Sequence, residues 1–273
     1  MSATRLGIRT GESARAEAGL VAKRLEAEVV VIEVGRDAEA GLRAALADGF
    51  ADAVLIPAPA LAAGAGISTA SDPAAIPERR DARDAFVGGG TLESLPVGSR
   101  VAVDSRLRRA QVLARRDDLD VILTAPVEFD GADNRVTSLA SLEDPEDAVE
   151  LFQIDDWPTA PGQGGLVLLT RRGEERRVAG VDHRASRLAL LAELGVLARL
   201  GASFAPTLAA HALFDDGLLF LSARVYRSDG SEHVTSSHAL YPEDVKDPID
   251  DLASRVADEL LARGADDLVG VDT

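Results

Sequence analysis

Five arginines lie within thirteen residues of this sequence, in the segment DSRLRRAQVLARR at 104–116. A guanidinium binds planar anions through two parallel hydrogen bonds, so this density of arginine suits a ligand with several carboxylates or phosphates. The backbone N–H groups at the start of a helix that follows a strand would add further donors for such an anion. A solvated helix face and an internal centre of ion pairs are the two alternatives.

The elements around this segment predict where its arginines lie. RVAVD, at 100–104, is typical of a strand and leads directly into the segment. Leu107, Ala110, Leu113 and Ala114 then form one apolar stripe with helical spacing. The arginines are therefore expected on a helix that begins where a strand ends, and there their side chains can reach a ligand.

The remainder of the chain is strongly acidic. Asp and Glu total 46 against 29 Lys and Arg, which gives a formal net charge of −17. Lysine occurs only at Lys23 and Lys246, as expected for the acidic surface of a halophile-type protein; an ordinary acidic protein from a GC-rich genome is the alternative. No nucleic-acid partner is expected at this charge. No apolar run reaches a membrane-spanning length and MSATRLGIRT lacks the parts of a signal peptide, so we expect a cytoplasmic protein without a membrane partner.

The composition also excludes several kinds of chemistry. The chain has no cysteine, which excludes disulfides, thiolate metal sites and a cysteine nucleophile. Its four histidines lack HExxH-type spacing, so no metal site is expected, and Ser236 and Ser237 lack the G-x-S-x-G pattern of a hydrolase. GGG at 88–90 lacks the spacing of a dinucleotide-binding loop and is expected to be a turn. PGQGG at 161–165 precedes a strand, whereas a phosphate-binding loop follows one, so it is expected to be a hinge or a tight turn.

Strand and helix patterns alternate in the first part of the chain. RLGIRT, VVVIEV and DAVLIP predict strands, the second of them buried, and the segments between them predict helices, which indicates a parallel or mixed α/β sheet. Residues 124–162 show the weakest pattern. From 184 onward a strongly apolar helix precedes two hairpin strands, LLFLSARVYR and HVTSSHAL, and a last helix that ends at Gly264, which predicts a small α+β unit.

Several of these segments, in this order, resemble the porphobilinogen deaminase (hydroxymethylbilane synthase) family. RRDARDAFVGGGTLESLPVGSRVAV is similar to the family's D-x-R-D-A-F and S/L-x-x-L-P-x-G-S segments, and DSRLRRAQVLARRDDL to its S-S-L-R-R-x-x-Q-L-x-x-x-R-P-D-L. PGQGGLVLLTRR resembles its G-Q-G-A-x-G-I-E strand, RLALLAELGVLARLGAS its E-R-x-x-x-x-x-L-x-G-G-C helix, and ADELLARGADDLV its final helix. The resemblance is collinear over most of the chain.

The resemblance implies an α/β fold with two periplasmic-binding-protein-like α/β lobes plus a small C-terminal α+β domain. On this basis we expect residues 1–98 and 160–183 in the first lobe, residues 99–159 in the second lobe and residues 184–273 in the C-terminal domain. Members of the family join four porphobilinogen units head to tail and release ammonia at each step. The chain grows on a dipyrromethane cofactor that a cysteine holds through a thioether.

The same resemblance assigns candidate ligand residues. Arg108 and Arg109 stand at the family's paired carboxylate-binding arginines, Ser105 at a neighbouring hydroxyl and Arg9 at the arginine of the first strand. Because the family's pyrroles bear acetate and propionate groups, these residues are expected to line an open cleft and to bind carboxylates. The expected partner is therefore a small pyrrole or tetrapyrrole polycarboxylate.

The sequence departs from the family at positions that carry the chemistry. Alignment places Phe204 at the cofactor cysteine, Ala60 at the catalytic aspartate and Pro59 at the lysine before it. Another ligand-binding arginine is absent from TAPV at 124–127, and the K-G-x-F segment before Leu42 is missing. Without a thiol no thioether forms, and without the aspartate no carboxylate protonates the leaving amine or stabilises the azafulvene cation. We therefore expect no dipyrromethane cofactor, and the catalytic residues are unknown.

Three hypotheses about activity follow. The chain is an active enzyme with an unattached primer and another acid such as Asp104, a noncatalytic binder of porphobilinogen or a linear tetrapyrrole, or a partner of a second, cysteine-bearing deaminase. We favour a divergent paralogue in tetrapyrrole and haem biosynthesis that keeps part of the anion-binding cleft and has impaired or lost porphobilinogen polymerisation.

Overall fold

The computed structural model of the protein describes residues 3–10, 12–33, 38–63, 73–125, 133–142 and 144–269. The chain divides into two compact units. The first unit comprises Met1–Arg80 and Gly165–Leu188, and the second comprises Asp81–Gly164 and Ala189–Thr273. No helix among the described residues is long and apolar enough to cross a membrane.

The strands, in chain order, are β1 (Arg5–Arg9), β2 (Glu28–Ile32), β3 (Ala53–Pro57), β4 (Asp84–Val87), β5 (Arg100–Val103), β6 (Asp120–Leu123), β7 (Arg135–Ser138), β8 (Glu150–Leu151), β9 (Leu166–Thr170), β10 (Leu208–Asp215), β11 (Leu218–Tyr226) and β12 (His233–Leu240). The helices are α1 (Glu12–Leu25), α2 (Ala38–Ala47), α3 (Ala58–Ala63), α4 (Arg106–Arg115), α5 (Arg184–Leu200), α6 (Pro248–Ala262) and α7 (Ala265–Leu268).

The first unit contains a four-stranded sheet in the order β2-β1-β3-β9. β1 is parallel to β2 and β3, and β9 is antiparallel to β3, which confirms the mixed sheet expected from the alternating pattern. Leu6 and Ile8 of β1, Val21 of α1 and Leu168 of β9 are buried together in its core. β2 is less buried than its apolar run predicts, because it lies at the edge of the sheet.

The second unit contains a five-stranded sheet in the order β6-β5-β7-β4-β8. β5 is parallel to β6 and β7, whereas β4 is antiparallel to β7 and β8. The expected first lobe extended to residue 98, but β4 pairs with strands of this second sheet. β7 and β8 belong to the segment whose sequence pattern is weakest, and for this reason the pairing of β4 is not visible in the sequence.

The same unit contains an antiparallel sheet in the order β10-β11-β12. The hairpin β11–β12 agrees with the sequence prediction, and α6 ends at Ala262, two residues before Gly264, which has a φ of 87°. Leu107 and Ala110 of α4 are buried against Ala209 and Tyr226 of this sheet. The fold therefore consists of two α/β lobes and a small C-terminal α+β domain, and the second lobe and this domain lie in one compact unit.

Candidate functional site

The arginine-rich segment forms α4, and its first turn is fixed by a serine cap. Ser105 has extended backbone geometry, and its hydroxyl oxygen accepts a hydrogen bond from the backbone N–H of Arg108 at 3.2 Å. Such a cap satisfies one of the N–H groups that a helix start leaves without a partner. The predicted ligand hydroxyl of Ser105 thus has a structural role at the start of the helix.

Arg108 is directed into the protein and not into solvent. Its side chain is 9% exposed, and Nη2 donates to Asp84 Oδ1 at 2.8 Å and to Gln163 Oε1 at 2.9 Å, while Nη1 donates to Asp104 Oδ1. Burial by itself lowers the pKa of Arg108, but the charges and hydrogen bonds of Asp84 and Asp104 outweigh it, so the pKa is raised further above its ordinary value. Arg108 is a permanently charged, internally paired group.

Asp84 is the buried centre of this network. Its side chain is 2% exposed, its Oδ1 also accepts from Gln163 Nε2 at 2.7 Å, and its Oδ2 accepts from Trp157 Nε1 at 3.0 Å. Gln163 Nε2 also donates to the carbonyl of Ala82 at 2.6 Å. Each oxygen of Asp84 therefore has a donor, and the network joins β4, α4 and two loops.

A second buried carboxylate holds the glycine-rich loop at 161–165. Glu193 is fully buried, and its Oε2 accepts from the backbone N–H of Gly162 at 2.7 Å. Its Oε1 accepts from the backbone N–H of Ala212 in β10 at 2.7 Å. The PGQGG loop is therefore held by two buried carboxylates, Glu193 through Gly162 and Asp84 through Gln163. This agrees with the expected turn and gives the loop a structural function.

The Asp84–Asp104–Arg108 cluster lies at the carboxyl ends of two parallel strands. Asp104 directly follows β5, and Asp84 pairs with Ser138, the last residue of β7. Ligands of open α/β sheets bind outside the carboxyl ends of the strands. The cluster therefore lies at the end of its sheet where open α/β sheets bind ligands, but its two carboxylates outnumber its one guanidinium.

Arg109, the next residue, has a different environment. It is half-buried, and its Nη1 donates to the carbonyl of Ser228 at 3.3 Å. Among the residues that the structure describes, no carboxylate forms an ion pair with Arg109. Arg9 is exposed at the carboxyl end of β1, likewise without an ion-pair partner in the described part of the chain.

The last two arginines of the segment are braced by acidic residues. Arg115 pairs with Glu93 at 2.9 Å, and Arg116 pairs with Asp118 at 2.7 Å. Arg116 also donates to the carbonyl of Leu92 at 3.1 Å. This bond connects the end of α4 to the segment between β4 and β5. In the described part of the chain, the internal ion-pair alternative therefore describes at least Arg108, Arg115 and Arg116.

The two positions that the sequence resemblance assigns to the family's catalytic groups, Phe204 and Ala60, carry no reactive side chain. Phe204 is 4% exposed in a short turn, and Ala60 is half-buried in α3. Among the described residues, no group of three or more histidine, aspartate or glutamate side chains could hold a metal ion. A buried phenyl ring in a chain without cysteine does not fit a dipyrromethane held through a thioether.

A family model and several similar proteins all point to the same family. A family model described as "Porphobilinogen deaminase, dipyromethane cofactor binding domain" matches residues 40–125. The porphobilinogen deaminase of Leifsonia xyli subsp. xyli is 36% identical, over 83% of this chain and 76% of the relative. That of Acidothermus cellulolyticus is 31% identical, over 98% of this chain and 92% of the relative. The chain belongs to the porphobilinogen deaminase family.

Solved structures add little to this assignment. The methionine-binding protein MetQ aligns with 70% of this family member and with 91% of its own chain, at 13% identity and a TM-score of 0.44. A likeness at this level supports no conclusion about ligand or activity.

Two residues of the buried network lie inside segments that carry the resemblance to the porphobilinogen deaminase family. Asp84 is the aspartate of RDAF, and Gln163 is the glutamine of GQG. Sequence reasoning did not single them out as site residues. The available signal was a charged residue at the start of an apolar strand, because a buried charge requires a partner.

Proposed function

We propose that this porphobilinogen deaminase family member binds a pyrrole with several carboxylates noncovalently and does not assemble a covalently held chain. The observation that carries the proposal is that the chain has no cysteine, and Phe204, which the resemblance places at the family's cofactor cysteine, is a buried phenyl ring. The family's place in tetrapyrrole and haem biosynthesis supplies the class of ligand, porphobilinogen or a linear tetrapyrrole.

The neighbouring residues offer no replacement for the missing chemistry. Ser203 is exposed beside Phe204, but an unactivated hydroxyl is a far weaker nucleophile than a thiolate. No histidine adjoins Ser203 in sequence to act as a base. Ala60 cannot protonate a leaving amine or stabilise a cation, because its side chain is a methyl group. These losses support a protein with no covalent dipyrromethane.

The proposal assigns carboxylate binding to Arg109 and Arg9. Both lack an ion-pair partner among the described residues, and each can offer a guanidinium to a ligand on its own lobe. Arg108 and Ser105, the other two candidates, support α4 in the state that the structure describes. A ligand carboxylate that reaches Arg108 would have to displace one of its internal partners.

The test is incubation of the purified chain with porphobilinogen at high salt, with ammonia release and intact mass as readouts. We expect binding by calorimetry, no sustained ammonia release and the mass of the bare polypeptide. Arg109→Ala should weaken binding about tenfold or more, since hydrogen bonds to charged groups contribute about 1.5–3 kcal/mol. Arg115→Ala, on the same helix but paired with Glu93, is the matched control. Steady ammonia release, or an added mass of two linked pyrroles near Ser203, would contradict the proposal.

A further inference from the structure

Asp104 differs from the other partners of Arg108 in its exposure. The Asp104 side chain is 15% exposed, whereas that of Asp84 is 2% exposed. Gln163, the third partner, is 7% exposed as a residue. Asp104 therefore forms the most solvent-accessible part of the cluster at the carboxyl ends of the strands, and Asp84 and Gln163 lie behind it.

Asp104 is also the least connected member of the cluster. In the described part of the chain its carboxylate accepts one side-chain hydrogen bond, from Arg108 Nη1. Asp84 and Gln163, in contrast, bind each other as well as Arg108, and Asp84 also binds Trp157. Removal of the Asp104 carboxylate would leave Arg108 neutralised by Asp84 and the rest of the network intact.

One N–H group of the Arg108 guanidinium makes no hydrogen bond with the described residues. Nε of Arg108 is buried and has no hydrogen-bond partner among the described residues. A buried donor without a partner is costly, and Asp104 does not satisfy this one, because Asp104 binds Nη1. At the same time, the two carboxylates and one guanidinium give the cluster a net charge of −1 when both acids are ionised, which repels an external anion.

We propose that Asp104 is an internal carboxylate that occupies the exposed side of Arg108 and competes with a ligand carboxylate for it. Asp104 thereby limits how many carboxylates of a bound molecule the second lobe accepts. The inference rests on the proposed function in one respect, because it takes the natural ligand to be a polycarboxylate. A purely structural role is the competing explanation, since an acidic residue before a helix stabilises its N-terminal end.

The first experiment is calorimetric titration of the full chain with porphobilinogen. We expect Asp104→Asn to bind about 10-fold to 100-fold more tightly than the unmodified chain, because one charge-assisted hydrogen bond becomes available and one repulsion is removed. Asp104→Glu keeps the carboxylate and should show no gain. Asp120→Asn removes an exposed carboxylate that pairs with Arg100 at 3.0 Å, and it should also show no gain.

A second measurement separates this inference from the proposed function. In 15N-labelled full chain, the Nε–H signal of Arg108 is followed during titration with tricarballylate, a tricarboxylate without a pyrrole. We expect this signal to shift at lower concentration in Asp104→Asn than in the unmodified chain. If that shift occurs while neither chain binds porphobilinogen, the proposed function fails and the role of Asp104 stands.

Two outcomes would overturn the role of Asp104. One is a folded Asp104→Asn chain with unchanged response to both ligands. The other is loss of the fold in both Asp104→Asn and Asp104→Ser, judged by the melting transition, because Asp104 would then be a structural requirement of α4.

Discussion

Each α/β lobe contains an aspartate that binds arginine, and the two clusters lie at opposite ends of their strands. In the first lobe, Asp52 directly precedes β3. Its carboxylate forms ion pairs with Arg5, at the start of β1, at 3.1 Å and with Arg171 at 3.2 Å. In the second lobe, Asp84 and Asp104 meet Arg108 at the carboxyl ends of β5 and β7. Only the second cluster lies where open α/β sheets bind ligands.

The two clusters also differ in burial. The side chains of Arg5 and Arg171 are 40% and 31% exposed, whereas that of Arg108 is 9% exposed. Water can replace a lost partner at the first cluster but not at the second. The same residue types therefore form a partly solvated cluster in the first lobe and a desolvated network in the second. Breaking the second cluster should lower the free energy of unfolding more than breaking the first.

Asp84→Ala should have the largest effect on stability. The substitution removes the acceptor of Trp157 Nε1 and one of the two acceptors of both Arg108 Nη2 and Gln163 Nε2, all in a buried place. We expect the free energy of unfolding to fall by about 3–5 kcal/mol, as when one partner of a buried ion pair is removed. Urea denaturation measures this change.

The control for Asp84→Ala is Asp120→Ala, which removes an exposed ion pair with Arg100. That change should cost about 0–1 kcal/mol. Equal losses for the two variants would show that burial does not distinguish the clusters.

Gly230→Ala should have the next largest effect, because it tests how the C-terminal hairpin holds the helix of the second cluster. Gly230 has a φ of 78°, and an added Cβ would lie 2.5 Å from the backbone oxygen of Ala110 and the backbone nitrogen of Ala114. The clash with α4 and the left-handed backbone together should lower the free energy of unfolding by about 2–4 kcal/mol.

The matched control for this variant is Gly217→Ala. Gly217 has a φ of 81° and nothing within 4 Å of an added Cβ, so its substitution reports the backbone cost alone. We expect a loss of about 1–2 kcal/mol there. If both variants lose the same amount in urea denaturation, the close approach of the hairpin to α4 does not contribute to stability.

Asp52→Asn should show a smaller effect with a characteristic pH dependence. The hydrogen bond from Arg5, more than its charge, holds the pKa of Asp52 far below the ordinary value, and partial burial only partly opposes this. The unfolded chain therefore binds the proton more tightly, so the stabilisation by Asp52 is full above its unfolded pKa of about 4 and is lost as the pH falls below it.

At neutral pH the Asp52→Asn chain should be about 1–3 kcal/mol less stable, as expected for hydrogen bonds to a charged group. The difference from the unmodified chain should shrink progressively as the pH is lowered below about 4, because the unfolded chain then takes up the proton that the folded chain does not. Denaturation at several pH values measures this, with the exposed Asp155→Asn as control. A difference that does not change with pH would indicate a role for Asp52 other than its charge.

The sequence pattern predicted most of the first unit and less of the second. Apolar strands that alternate with helices are local signals, and β1, β2, β3 and their helices follow them. β10 was not predicted, because LAAHALFD contains three alanines and alanine has low β propensity.

The candidate site was predicted only in part, because its partners are distant in sequence. The density of arginine identified α4, but two of the three residues that bind Arg108 lie far away in sequence, 24 positions away at Asp84 and 55 positions away at Gln163. No local spacing connects such residues. The family resemblance assigned the same carboxylate-binding role to Arg108 and Arg109. In the structure Arg108 is buried and paired with aspartates, whereas Arg109 is half-buried and binds a backbone carbonyl.

Arg109→Ala should have the smallest effect on stability. It compares Arg109 with the buried network around its neighbour Arg108. Arg109 adjoins Arg108 in sequence, yet it is half-buried, and with the described residues its side chain makes one hydrogen bond, to the carbonyl of Ser228 at 3.3 Å. Because no described carboxylate depends on it, we expect the free energy of unfolding to change by less than about 1 kcal/mol. Urea denaturation beside Asp84→Ala measures the contrast. A loss as large as that of Asp84→Ala would place Arg109 inside the buried network and remove it as a group available to a ligand.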